Sequence, residues 1–255
     1  MKEKTKVKRM FILDGGSFLY EIGMMQIGKD LDKRRRIIVP FFAFETEEGW
    51  VLYDTGFSPD VNPRLESLGR EPHIDEENRV ETQLQKIGVL TTDVTMVIIS
   101  HLHGDHAGGI QFFPDADIYV QKDEFAYAQF PNAFQAPIYD KRIFDLPKVK
   151  WELLEGDRVI IPGLTVMLAN GHTPGLQGLI IELPESGYYL LGADSVYLME
   201  NIEKAHPPGN VWNTVLAEYS IKRFKALKTL LNGQFFPGHD YDFFHNELKL
   251  GEAYC

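Results

Sequence analysis

Short apolar runs broken by turn residues dominate the first two-thirds of the chain. Residues 37–44 are β-branched and aromatic, Glu47-Glu48-Gly49 reverses the chain, and Trp50-Val51-Leu52-Tyr53 resumes the apolar pattern. This predicts a hairpin ending at Asp54-Thr55-Gly56. Residues 80–87 carry helical spacing and stop at Gly88. Residues 95–99 and Ile118-Tyr119-Val120 read as strands, with a short amphipathic segment over 123–130.

The second half repeats this grammar. Residues 164–168 form a strand that runs out at Asn170-Gly171-His172. Residues 179–183 and 188–191 form a hairpin around Glu185-Ser186-Gly187, and this hairpin delivers Asp194. The best helix covers 213–231, where Ala217, Ile221, Phe224, Leu227 and Leu231 make one stripe between an Asn213 N-cap and an Asn232-Gly233 stop. Gln234-Phe235-Phe236 is a last short strand before Pro237-Gly238-His239. Strands with intervening helices in both halves predict an α/β fold, an αββα sandwich, over a single domain spanning 1–255.

The chemistry sits where these strands end. Ser100-His101-Leu102-His103-Gly104-Asp105-His106-Ala107-Gly108-Gly109 packs three imidazoles and a carboxylate into six positions. His172, Asp194 and His239 each follow another apolar strand. Imidazole and carboxylate together suit zinc, iron(II), manganese or cobalt. Seven candidates (His101, His103, Asp105, His106, His172, Asp194 and His239) exceed what one tetrahedral ion accepts, whereas two ions sharing a bridging ligand use them all. The i, i+2 spacing of His101 and His103 suits an extended or turning loop rather than a helix face. Gly104, Gly108 and Gly109 are expected to give that loop backbone freedom.

Composition narrows the partners. A net charge of −11 argues against nucleic acid and against anionic membranes. The single cysteine, Cys255, rules out an intramolecular disulfide and a thiolate zinc site, and suits a reducing cytoplasm. The lysine-rich start is followed by an apolar run of only Phe11-Ile12-Leu13, too short for a signal peptide, and no window reaches membrane-spanning length. His73, His206 and His245 read as loop or surface residues, and residues 29–36 as a solvated face. Met24 and Met25 read as an apolar lid, and residues 125–139 as aromatic cover or core.

The metal motif, Gly171-His172-Thr173-Pro174-Gly175, the aspartate after a strand and the late Gly238-His239 together resemble the metallo-β-lactamase superfamily. The tighter resemblance is to the quorum-quenching N-acyl-homoserine lactonases. Ser-His-Leu-His before Asp105, Asp194-Ser195-Val196-Tyr197 and Phe-Pro-Gly-His-Asp at 236–240 carry it. The resemblance implies a dinuclear hydrolase with two divalent ions, Zn2+ foremost and Fe2+, Co2+ or Mn2+ as substitutes. It assigns His101, His103 and His172 to one ion, Asp105, His106 and His239 to the other, and Asp194 between them. Asp54 would orient a ligand. Tyr197 would polarise the carbonyl of a small-molecule lactone attacked by a bridging hydroxide, with Asp105 passing the proton to the leaving oxygen. Gly104 stands where some lactonases carry a bulky residue, which predicts a more open pocket. The expected enzyme is a cytoplasmic monomer or homodimer. The opening Leu13-Asp14-Gly15-Gly16-Ser17 also resembles 4-pyridoxolactonase, so another lactone is an alternative substrate. A glyoxalase II-like thioesterase is the other alternative, disfavoured by the short tail after His239.

Overall fold

β-Branched and aromatic alternation produces strands wherever the pattern predicts them. The computed structural model describes residues 4–255, and the first residues of the lysine-rich start, 1–3, lie outside the described residues. In chain order the strands are β1 (Val7–Glu21), β2 (Arg34–Thr46), β3 (Gly49–Tyr53), β4 (Val94–Ile98), β5 (Asp117–Gln121) and β6 (Lys150–Leu154). They continue with β7 (Arg158–Ile161), β8 (Leu164–Leu168), β9 (Gln177–Leu183), β10 (Gly187–Leu191), β11 (Gln234–Phe236) and β12 (Ala253–Tyr254). Among the described residues they form a 7-stranded sheet, β12-β1-β2-β3-β4-β5-β6, and a 5-stranded sheet, β11-β10-β9-β8-β7.

The sheets pack face to face. Phe42, Tyr53 and Ile98 of the first meet Val166, Leu179, Leu191 and Phe236 of the second in one apolar cluster. On the outer face of the first sheet, Leu52, Val97 and Ile118 pack with Leu84 of the helix Val80–Lys86 and Ala128 of the helix Lys122–Gln129. On the outer face of the second, Met167 and Leu190 take Ile221 and Phe224 from the helix Thr214–Leu231. The result is the αββα sandwich, each layer burying its apolar side against the next. The central stretches of β4 and β5, Val97-Ile98 and Ile118-Tyr119-Val120, are covered on both faces, which is why they read as apolar runs without clean alternation.

Three features go beyond or against the sequence reading. The short Phe11-Ile12-Leu13 run is part of a longer strand: a register shift against β2 between Asp14 and Ser17 lets β1 continue to Glu21. The border strands β6 and β7, absent from the sequence reading, are short and largely exposed. Arg34–Arg36 open β2 instead of forming a loose solvated face, and Arg35 reaches Asp242 at 2.6 Å. The long helix starts and stops as predicted. Asn213 accepts the amides of Val215 and Leu216 at 3.0 and 3.1 Å, and Asn232 ends it in the left-handed region at φ 49°.

Topology gathers the candidate ligands on one rim. β3, β4 and β5 run parallel, so Asp54 and the loop after β4 emerge together. β10 and β11 are also parallel, with Leu191 opposite Phe236, so Asp194 and His239 leave their strands side by side.

Phe236→Ala, which opens a void where the sheets meet, is expected to cost about 3–5 kcal/mol of unfolding free energy. Asn213→Ala, which removes a helix cap, should cost only about 1 kcal/mol. Chemical denaturation of the two variants beside the parent checks both.

Candidate metal centre

The loop after β4 is fixed before any ligand is considered. Asp54 follows β3 in the left-handed region, φ 64°. Its Oδ1 accepts the Ser100 amide at 2.6 Å, and its Oδ2 accepts the Ser100 hydroxyl and His106 Nδ1–H, both at 2.8 Å. From there the chain runs through His101 with bends at Ser100 and Leu102, is extended at His103, and then turns into the short helix Gly104–Ala107, which carries Asp105 and His106. The loop expectation therefore holds for the first pair, and a helical turn supplies the second.

The glycines serve close approach. A Cβ on Gly108 would sit 2.1 Å from Ser58 N and 2.4 Å from Phe57 C, although Gly108 has an ordinary φ of −63°. A Cβ on Gly109 would lie 2.7 Å from Thr55 O. These residues let the 54–58 segment lie against the metal loop, and the expected left-handed freedom is not used. A Cβ on Gly104 would meet nothing within 4 Å, and Gly104 lines the cavity, in keeping with an opened pocket.

Hydrogen bonds set the imidazole tautomers. His172 donates Nδ1–H to Asn210 O at 2.6 Å, and His239 donates Nδ1–H to Ile38 O at 2.7 Å. Ser100 gives its hydroxyl proton to Asp54, so its oxygen accepts from His101 Nδ1 at 3.0 Å. With Nδ1 protonated, these rings present Nε2 lone pairs inward.

Two groups of inward atoms result. His103 Nδ1 lies 2.9 Å from His101 Nε2 and 3.1 Å from His172 Nε2. One proton cannot satisfy three converging nitrogens, whereas a cation between them accepts all three lone pairs. The ligand atoms of His101, His103, His172 and Asp194 lie within 4.8 Å of one another, as do those of Asp105, His106 and His239. Asp194 faces both groups: Oδ1 is 2.8 Å from His239 Nε2 and 3.0 Å from His106 Nε2, and Oδ2 is 3.3 Å from His172 Nε2. His106 Nε2 is buried and, despite that short distance, has no aligned hydrogen-bond partner among the described residues. Asp105 Oδ2 stands 3.8 and 3.9 Å from His106 and His239. The donor set and the orphaned nitrogen fit two divalent ions.

Charge divides the same way. Burial and neighbouring imidazoles hold His101 and His103 well below the usual histidine pKa, and burial lowers His172. Burial also opposes charge on His106 and His239, but Asp194 and Asp105 outweigh it and raise both, with Asp54 adding to His106. Burial works against the Asp194 carboxylate, yet His239, His106 and His172 bring its pKa well below the usual range. Cations would take the place of the protons this carboxylate attracts.

Tyr197 is buried at one end of a cavity of about 170 Å3 that Asp194, Asp105 and Gly104 also line, with Phe18, Ile37 and Leu65 on its apolar wall. Its ring centroid is 5.0 Å from that of His239 and 5.9 Å from that of His172. Burial and the Asp194 charge keep its hydroxyl protonated. His73 and His245 are exposed, and His206 binds Ile27 O at 2.8 Å, all three outside the centre. Met24 and Met25 do not line the cavity, and Met25 is fully buried beside Leu198, so the pair forms no lid. Of 125–139, Ile138 lines the cavity and Tyr139 packs on His103 at 4.7 Å, while Phe130 and Phe134 are exposed.

The sequence reading passed over Glu124, Tyr20 and Asn210. Glu124 is fully buried and accepts the amides of Leu102 and Gly175 and the Tyr139 hydroxyl, tying two ligand loops together. Its i, i+4 phase with buried Ala128 was the available signal. Tyr20 and Asn210 meet only through tertiary structure.

A family model described as the metallo-beta-lactamase superfamily matches residues 35–239. An N-acyl homoserine lactonase of Bacillus cereus is 31% identical, covering 92% of this chain and 94% of that protein. The lactonase AttM of Rhizobium radiobacter is 31% identical over 97% and 98%. A quorum-quenching N-acyl homoserine lactone lactonase superposes with TM-score 0.88 at 30% identity over 100% of both chains. A further such hydrolase, solved with N-hexanoyl-L-homoserine at its catalytic metal centre, gives TM-score 0.88 at 31% identity, covering 98% of this chain and 100% of that one.

Asp54→Ala, which frees His106 Nδ1, is expected to weaken metal binding about 10–100-fold. Competition against a chromophoric chelator reads this directly, and retained affinity would show that Asp54 does not orient the ligand.

Proposed function

The chain belongs to the metallo-β-lactamase superfamily, within its N-acyl homoserine lactonase family, and on that premise we propose that it opens the lactone ring of N-acyl homoserine lactones. Water is added across the ring ester: its hydroxyl joins the carbonyl carbon, the ring C–O bond breaks, and the proton ends on the released alkoxide, giving N-acyl homoserine. The observation that carries this reading is the Asp194 carboxylate, which faces two donor groups and lines, with Tyr197, a cavity that has an apolar side of Phe18, Ile37 and Leu65.

His101, His103 and His172 would hold one divalent ion and Asp105, His106 and His239 the other, with Asp194 serving both. Zn2+ suits the nitrogen and oxygen donors, and Fe2+, Co2+ or Mn2+ are substitutes. When bound, the ions supply a hydroxide near neutral pH and draw electrons from a carbonyl. The Tyr197 hydroxyl, kept protonated, donates to the carbonyl oxygen as negative charge builds there. Asp105, less buried than the other ligands, offers a carboxylate oxygen that carries the proton to the leaving alkoxide. The apolar wall takes the acyl chain and keeps bulk water from the ring.

The whole chain would act as one hydrolase domain in the cytoplasm, as a monomer or homodimer. Its lone cysteine suits that setting, and its net charge of −11 disfavours nucleic acid as a partner. No helix among the described residues is long and apolar enough to cross a membrane.

A panel of homoserine lactones, γ- and δ-lactones and 4-pyridoxolactone, with a thioester control, tests the substrate class. N-acyl homoserine lactones should show the highest kcat/KM, and a thioester exceeding every lactone would overturn the reading. Tyr197→Phe should lower kcat/KM by about 10–100-fold at full metal content. His239→Ala should bind one ion per chain by elemental analysis where the parent binds two.

A further inference from the structure

A second phenol stands at the cavity and takes no part in the mechanism above. Tyr20, on β1, lines the same cavity as Tyr197, and the two rings are parallel with centroids 6.1 Å apart. The Arg70 guanidinium lies 4.4 Å over the Tyr20 ring and is itself tied to Glu21 at 3.0 Å. The Phe18 ring meets Tyr20 edge-on at 5.9 Å. These neighbours fix the ring without using its hydroxyl.

Among the described residues the hydroxyl has one hydrogen-bond partner. Asn210 Nδ2, a donor only, points to it at 3.2 Å, so the phenol oxygen accepts. Among the described residues nothing accepts the phenol proton. The Asn210 backbone carbonyl meanwhile holds His172, so the contact is anchored to the metal centre. Burial raises the Tyr20 pKa to about 12, Arg70 working against that rise and Asp105 and Asp194 adding to it. The group is therefore a neutral donor across the working pH range.

We propose that the Tyr20 hydroxyl is a specificity determinant that donates a hydrogen bond to the exocyclic amide carbonyl of the substrate. The inference rests on the lactonase reading above and deepens it. In an N-acyl homoserine lactone the amide is attached to the carbon beside the ring carbonyl. A substrate whose ring carbonyl meets Tyr197 carries its amide toward a donor set alongside that residue. Asn210 orients the donor by occupying the lone pair of the phenol oxygen. A lactone without the amide gains nothing from Tyr20.

Tyr20→Phe keeps the ring, the stacking and the Arg70 contact, so metal content and melting temperature should equal those of the parent. The test compares steady-state kinetics of parent and variant on N-hexanoyl homoserine lactone and on γ-butyrolactone, which has no exocyclic amide. If γ-butyrolactone is not turned over, its inhibition constant is measured in place of KM. The expected result is a KM for the acylated lactone raised about tenfold, the loss of one neutral hydrogen bond, at an unchanged kcat. The constants for γ-butyrolactone should stay as they are. Equal weakening toward both lactones, an unchanged KM for the acylated one, or loss of bound metal would each overturn the role of Tyr20. A parent that hydrolyses no N-acyl homoserine lactone would overturn the lactonase reading itself, and this inference with it.

Discussion

One buried carboxylate holds this architecture to its purpose. Asp194 lies among imidazoles supplied by three different loops, each of its oxygens turned to a different group. Left alone, so many nitrogen lone pairs and carboxylates in an apolar interior would repel one another at high cost. The surroundings are arranged to hold that unfavourable cluster in place. Asp54, Ser100, Asn210 and Ile38 each bind the far side of a ring, so that the inward atoms cannot turn away. Glu124 does the same for backbone, pinning one amide in each of two ligand loops.

Much of this was legible in the amino-acid order. β8, β10 and the long helix follow from local patterning, the two strands as short apolar runs buried on both faces and the helix as a single apolar stripe, each ending at a turn residue. The seven ligand candidates were legible because imidazoles at such density have few other uses. What stayed hidden depends on partners far away in sequence. The continuation of β1 past Gly15 rests on its pairing with β2, and the short border strands β6 and β7 are defined by their pairing with β5 and β8. Gly108 and Gly109 were noticed for the wrong physical reason, because their packing against residues 55–58 has no local signature. Tyr20 reaches Tyr197 across most of the chain, so no motif joins them.

The site also shows a division between rigid and adaptable parts. The metal-facing imidazoles are buried and four of them are braced from behind, whereas the outer cavity mixes apolar side chains such as Ile37, Leu65 and Ile138 with charged ones such as Arg64, Asp140 and Arg142 and the bare backbone at Gly104. Chemistry shared across a family depends on the first, while the second is the part free to vary between members.

The ligands come from loops after β4, β8, β10 and β11, which belong to different sheets. Neither sheet can therefore assemble the centre alone. Bound ions would act as rivets driven across that seam. Because bound ions favour the joined state by mass action, the grip between the sheets should tighten with the supply of free metal around the protein.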